Sequence, residues 1–312
     1  MDMEKLPLNR VKVRNNLQRG QALLIVLLTM AVILTVVLSV VSRSVTDITV
    51  TTYEENALRA FSAAEAGIEE KLLNPYPLGT FSNPTVGYSG EVTNPSEGDT
   101  EFNHPGDLNS GEVATFWLVS HDSTGSRLTC PDANSCVTGT GVMRVCWGSE
   151  PQDPDWTKNP AVEVLLFYDD DDPSQSVAAT NNFANVKVKR FAFDRYAASR
   201  ANNFEPISNA SCTIDGKTYA FRSDNITYPD VDCADRAGCR LMVKVRMYYN
   251  SGPQPLGITI TGGTPLPAQG LVISSTGTAG ESSRRVNVSQ GYSETPTFFD
   301  SAVFSLKSLE KL

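Results

Sequence analysis

The densest charge cluster in the chain is Asp169 to Asp172, placed after the strand-like run AVEVLLFY (161–168) and before Pro173. Calcium takes several carboxylate oxygens from one loop, which makes Asp169 and Asp171 the candidate metal ligands, with Asp153 or Asp155 as a third. The EF-hand pattern fails, because Ser174 stands where glycine is needed and Thr180 where the terminal glutamate is needed. A solvated turn of like charges is the plainer reading, and no other metal or cofactor is expected.

Cysteine chemistry is the second possibility. Cys130 and Cys136, and again Cys233 and Cys239, have five residues between them in polar, turn-rich sequence. An even number of cysteines in an oxidising compartment reads first as disulfides. The expectation is two short local loops, with Cys146 and Cys212 left to pair or to remain thiols. Zinc is disfavoured, since these spacings are wider than the usual two to four and only His104 and His121 could join them. There is no G-x-S-x-G elbow, no H-E-x-x-H and no phosphate-binding glycine loop, so the expectation is a protein that is not an enzyme. Trp117 and Trp147 sit at strand positions and read as core more readily than as sugar-stacking platforms.

The element that must position everything else is a helix. From Gln21 to Ser42 the chain has no charge, glycine or proline, and about 20 apolar residues cross a hydrocarbon core. The apolar pattern continues beyond it at helical spacing through Ala57, Phe61, Ala64, Ile68 and Leu72. A single helix over 21–73 with its transmembrane part at 21–42 is therefore expected, stopped by Asn74, Pro75 and Pro77. VTDITVTT (45–52) is its weakest stretch by propensity, being dense in β-branched residues.

Ahead of the apolar run lies a basic segment, 1–20, with Lys5, Arg10, Lys12, Arg14 and Arg19 against Asp2 and Glu4. The whole chain carries −9, so the acidic excess lies beyond the helix. The positive-inside bias keeps the basic end in the cytoplasm and puts the acidic bulk on the other side of the membrane. An acidic exterior speaks against nucleic acid as a partner, because backbone phosphates would be repelled.

The basic leader, the Arg19-Gly20 step, the long apolar helix and the stretch Ala60-Phe61-Ser62-Ala63-Ala64-Glu65-Ala66-Gly67-Ile68-Glu69 together resemble the N-terminal region of type IV pilin-like proteins, PilX-type minor pilins in particular. The resemblance covers about residues 14 to 73. It implies cleavage by a prepilin peptidase between Gly20 and Gln21 and packing of the helix among other pilin subunits, with Ala57, Ala60, Phe61, Ala64, Gly67 and Ile68 as helix-packing positions; read by size alone, Ala57, Ala60, Ala64 and Gly67 let a β-sheet lie close to the helix within one subunit. Two residues depart from the family pattern. Gln21 replaces the usual Phe or Met, and Ile25 stands where a filament-core Glu is usual. A hydrocarbon side chain there cannot neutralise a neighbouring subunit's N-terminal amine, which favours a minor or initiating subunit over a major one.

Beyond the helix, 74–110 is rich in Pro, Gly, Ser, Asn and Thr and reads as an irregular connector. Strand signals then recur through 111–312: VATFWLV (113–119), GVMRVCW (141–147), AVEVLLFY (161–168), NVKVKRFAF (185–193), RLMVKVRMYY (240–249), GLVISS (270–275) and RRVNVS (284–289). Several alternate apolar with charged residues, with Val186 and Val188 set against Lys187 and Lys189, and Val243, Val245 and Met247 against Lys244 and Arg246. That is the pattern of an antiparallel sheet with one wet face. Residues 273–288 read as a hairpin, and 297–304 as apolar enough to need a packing partner.

The fold class expected is α+β, with a long N-terminal helix packed on a β-rich, mainly antiparallel extracytoplasmic head. The expected function is a minor or accessory type IV pilin-like subunit in pilus assembly or surface adhesion. Its partners would be prepilin peptidase, other pilin subunits and the cytoplasmic (inner) membrane. The alternatives are a tip-type pseudopilin of type II secretion, an unprocessed single-pass surface binding protein, and, as a third class, a membrane-tethered hydrolase.

Overall fold

The computed structural model of the chain describes residues 18–131, 135–169, 186–208, 211–228 and 239–294. It is α+β. Helix α1 (Gln18–Leu73) is unbroken over 56 residues, about 84 Å at 1.5 Å per residue. Its β-branched stretch does not interrupt it. The hydroxyls of Thr46, Thr49, Thr51 and Thr52 donate to the carbonyls of Ser42, Val45, Asp47 and Ile48 at 2.8 to 2.9 Å, which keeps their polar atoms bonded along the helix surface. Thr29 and Thr35 do the same toward Val26 and Val32.

The residues expected to be an irregular connector instead contain β1 (Gly79–Asn83), β2 (Tyr88–Thr93) and β3 (Glu101–Asn103). Their Ser, Thr, Gly and Asn content hides the strand period, because only a few residues of β1 and β2 face anything apolar. β1 and β2 pair antiparallel with β16 (Leu271–Ala279) and β17 (Ser282–Gln290), in the order β1-β2-β16-β17. The expected hairpin is β16–β17, closed by Gly280-Glu281 with Ala279 opposite Ser282. Gly280 takes the positive φ, 54°, that a two-residue turn requires.

Two further sheets face each other as a sandwich. One holds β4 (Val113–Trp117), β8 (Ala161–Asp169), β9 (Val186–Asp194), β10 (Glu205–Pro206) and β14 (Cys239–Tyr248), in the order β10-β9-β8-β14-β4. Its pairings are antiparallel except for the two-residue β10–β9 contact. The other is built on β7 (Val142–Ser149), β11 (Cys212–Ile214), β12 (Lys217–Arg222) and β15 (Leu256–Thr261), in the order β11-β12-β7-β15-β3, with β13 (Ile226–Thr227) also paired to β7. Phe116, Val164 and Val245 from the first sheet share one core with Val145, Trp147 and Ile258 from the second. Trp147 is fully buried and donates its indole N–H to Pro160 O at 3.0 Å, the partner a buried indole requires.

Two strand details correct the sequence reading. Lys244, expected on a wet face, is only 3 % exposed, because the chain from Tyr292 to Glu294 passes over that face and brings the Glu294 carboxylate to 3.8 Å from its ammonium. Val188 lies on the outer face opposite Phe167 and is 53 % exposed. Lys187 and Lys189 are exposed as expected, the latter with its ammonium 5.3 Å over Phe191, and Val186 packs against the cluster of Val119, Cys136 and Leu241, so Val188 is the valine of β9 that departs from the reading.

Cys130–Cys136 is a disulfide, as the local-loop reading expected, and Cys146 is bonded to Cys212 across a sequence separation of 66. In the chain-entropy account a loop of that size stabilises by about 4 kcal/mol. Of the expected Cys233–Cys239 pair, Cys239 opens β14 and Cys233 lies outside the described residues.

Candidate functional site: the helix and its seat

Of the packing positions read from sequence, Ala60, Ala64, Gly67 and Ile68 are buried, Ala57 is half-buried and Phe61 is 43 % exposed. Ala63, not anticipated, is buried with them. Phe61 lies roughly 100° around the helix from Ala60, at the rim of the contact stripe, and Leu72 projects beyond it as well. The contact is made by small side chains because the sheet comes very close. A β-carbon added to Gly277 of β16 would stand 2.0 Å from Ala60 O and 2.5 Å from Ala64 N; one added to Gly67 would stand 2.3 Å from Ser275 Oγ and 2.9 Å from the Tyr88 ring. Gly277 lets the strand backbone meet the helix backbone, and Gly67 makes room for the Ser275 hydroxyl and the Tyr88 ring. Ile68 then joins Val92, Leu271 and Ile273 in a small apolar cluster.

Polar contacts fix the ends of this seat. Tyr53 donates its hydroxyl to Glu281 at the hairpin tip at 3.1 Å. At the other end the Tyr88 hydroxyl bonds the Glu70 carboxylate, and the Lys71 ammonium lies 5.2 Å over the Phe81 ring. The head therefore grips only the last third of the rod. From Gln21 to Thr52 the side chains are exposed, a length of about 48 Å against about 30 Å for a hydrocarbon core.

This free part is long and apolar enough to cross a membrane, and its apolar window is 0 % buried. Leu23, Leu24, Ile25, Leu27 and Leu28 on all sides are each at least 60 % exposed. A helix apolar all round belongs in lipid or inside an assembly, not in water. Gln21 and Ile25 lie on it; Arg19 and Gly20 are within its backbone, with side chains outside the described residues.

The other candidates do not converge. Asp169 ends β8 and is fully buried, and Asp171 lies outside the described residues. Asp155 is engaged by Thr157, whose backbone N–H and hydroxyl both donate to it, and this holds its carboxyl below the usual range. Among the described residues no group of three or more His, Cys, Asp or Glu gathers as a metal site. His104 Nδ1 lies 2.6 Å from Gly106 O. His121 stacks on Tyr292 with centroids 3.8 Å apart and meets Trp117 edge-on at 4.3 Å.

That stack has a measurable consequence. Burial lowers the His121 pKa from 6.5 to about 4, with the Asp122 carboxylate opposing the shift. The unfolded chain thus binds a proton that the folded chain refuses between those two values. The contribution is complete above pH 6.5 and is lost as pH falls toward 4. Melting curves from pH 7 to 4.5 should show stability falling with pH, and His121→Phe should flatten that slope; an unchanged slope in the variant would assign it to other groups.

Comparison with protein-family models, with curated proteins and with solved structures gives no match.

Proposed function

We propose that this protein is a minor or accessory type IV pilin-like subunit whose work is assembly, not turnover. The observation that carries the reading is the division of α1: one continuous rod, apolar and exposed on every side over its first half, gripped by a β-rich head over its last third. Such a rod lies in the membrane before assembly and among neighbouring helices afterwards, with the basic end in the cytoplasm and the acidic head outside. Ile25 supplies no carboxylate to the filament interior, which suits a minor, initiating or tip position. The head, presented outward, is the adhesive or partner-facing part.

The test is the intact mass and N-terminal sequence of the protein recovered from membranes that co-express a prepilin peptidase, beside a Gly20→Ala control. A chain beginning at Gln21, and lost in the control, is the expected result. A chain still carrying its leader, while the same cells process a standard prepilin, overturns the reading and leaves a membrane-anchored surface domain.

A further inference from the structure

Two arginines share the outer face of the sheet built on β7. Val145 and Trp147 of that strand enter the core, so Arg144 and Cys146 leave by the other face. Arg222 of β12 lies opposite Cys146. It is therefore a diagonal neighbour of Arg144 on the same face, and diagonal positions, about 7 to 8 Å apart, are within reach of long side chains. The two arginines line one open depression of about 400 Å³, together with Ser223, Asp224 and Asn225.

The depression is held in shape from below. Ser223, only 1 % exposed, donates its N–H to Val145 O at 2.9 Å; its hydroxyl accepts from Val145 N and donates to Asp224 O, both at 2.9 Å. The loop that joins β12 to β13 is thereby pinned to β7. Asn225 Oδ1 then accepts from Arg144 Nε at 2.8 Å, which fixes that guanidinium and leaves its two terminal nitrogens without a partner among the described residues. Arg222 has no ion pair among the described residues either. In a chain that carries −9 this placement is unusual. Lys158, Arg190, Arg200, Lys217 and Lys244 each meet a carboxylate, whereas Arg144 and Arg222 meet none, although Asp224 lines the same depression. Two neighbouring cations repel each other until an anion lies between them.

We propose that this depression binds a phosphate group, either the free ion or an ester. Each guanidinium presents a rigid fork of N–H donors. A carboxylate has two oxygens in one plane, and a single fork uses both. A phosphate ester has three acceptor oxygens and a charge of about −1.5 to −2 at pH 7, which suits two forks arriving from two strands. Asn225 Nδ2 adds a neutral donor beside them. The Asp224 carboxylate opposes any anion in the depression and so limits its affinity.

Isothermal titration of the full chain in detergent micelles with inorganic phosphate, glucose 6-phosphate and acetate, all at one ionic strength, tests this. The tighter of the two phosphates should bind about tenfold or more tightly than acetate, and it names the form the site takes, free ion or ester. Arg144→Met and Arg222→Met should each weaken that binding about tenfold or more, the loss expected for a hydrogen bond to a charged group. If a methionine variant fails to fold, the lysine variant at that position, which keeps the charge and loses the fork, takes its place. Asp224→Asn, at an exposed position, should tighten the binding severalfold. Neither phosphate binding more tightly than acetate overturns the proposal. So does parent-like binding in either arginine variant, or an Asp224→Asn chain that binds phosphate no more tightly than the parent.

Discussion

Gly277→Val lowers the melting temperature of the full chain in detergent by about 6 to 12 °C, the shift of a core overpacked by about 3 kcal/mol in a head of this size. The magnitude follows from what the new side chain meets. Ala60 O and Ala64 N are backbone atoms of a continuous helix, 2.0 and 2.5 Å from the added β-carbon, and no rotamer change moves them aside. The helix must lift off β16, and Ile68 then loses its place against Val92 and Ile273. Gly277 has no positive φ to confuse the cause. Gly252→Ala is the control: nothing lies within 4 Å of its added β-carbon, and its effect should stay within about 0.5 kcal/mol. Should Gly277→Val melt with the parent chain, the seat described here would be wrong.

Arg200→Met is the second large effect, a loss of about 3 to 5 kcal/mol in urea unfolding. Arg200 Nη1 donates to Asp194 Oδ1 at 2.8 Å, and both side chains are buried, 7 % and 0 % exposed. Its Nη2 also donates to the carbonyls of Trp156 and Asn159 at 2.8 and 2.7 Å, and its plane lies 4.3 Å over the Tyr249 ring. One guanidinium therefore holds the loop around Trp156 to the end of β9. Removing it strands a buried carboxylate, whose remaining donors are Tyr196 N and Asn202 Nδ2. Asp194→Asn added to Arg200→Met should recover part of the loss, because the uncompensated charge is gone; a cost that is purely additive would point to packing instead. A single-variant cost under about 1 kcal/mol would mean that the pair behaves like an exposed one.

What could be read from sequence depended on how local the cause was. The apolar run from Gln21, the strand runs at 161–168 and 240–249 and the hairpin over 273–288 are each decided by neighbouring residues, and each is found. β1 and β2 were misread because Thr80, Ser82, Ser89 and Glu91 dominate them, and the pairing of β2 with β16 spans more than half of the chain. Phe61 stays outside the intramolecular contact because a spacing of three and four allows two adjacent stripes. The close approach at Gly277 chooses the smaller residues, and that glycine lies far from the helix in sequence. Lys244 looked wet because nothing in β14 announces that Glu294 returns over it. Gln269, whose amide bonds both the N–H and the C=O of Trp117, and Arg200, which gathers Asp194 and the carbonyls of Trp156, Thr157 and Asn159, carried no signal at all, since both arrangements are products of tertiary approach. Cys146 and Cys212 were two of six cysteines open to 15 pairings.

The course of α1 along β16 also sets how the molecule would bear force. Asn56 faces Gly280, Ala60 and Ala64 face Gly277, and Gly67 faces Ser275, so rod and strand run side by side in opposite senses. A pull on the membrane end loads this contact along its length, in shear, and every touching pair resists together. A contact crossed at right angles would peel one residue at a time. The Tyr53–Glu281 bond at the hairpin tip is the first to take the strain, and Gly277 behind it has no side chain to bend before the two backbones themselves must slide.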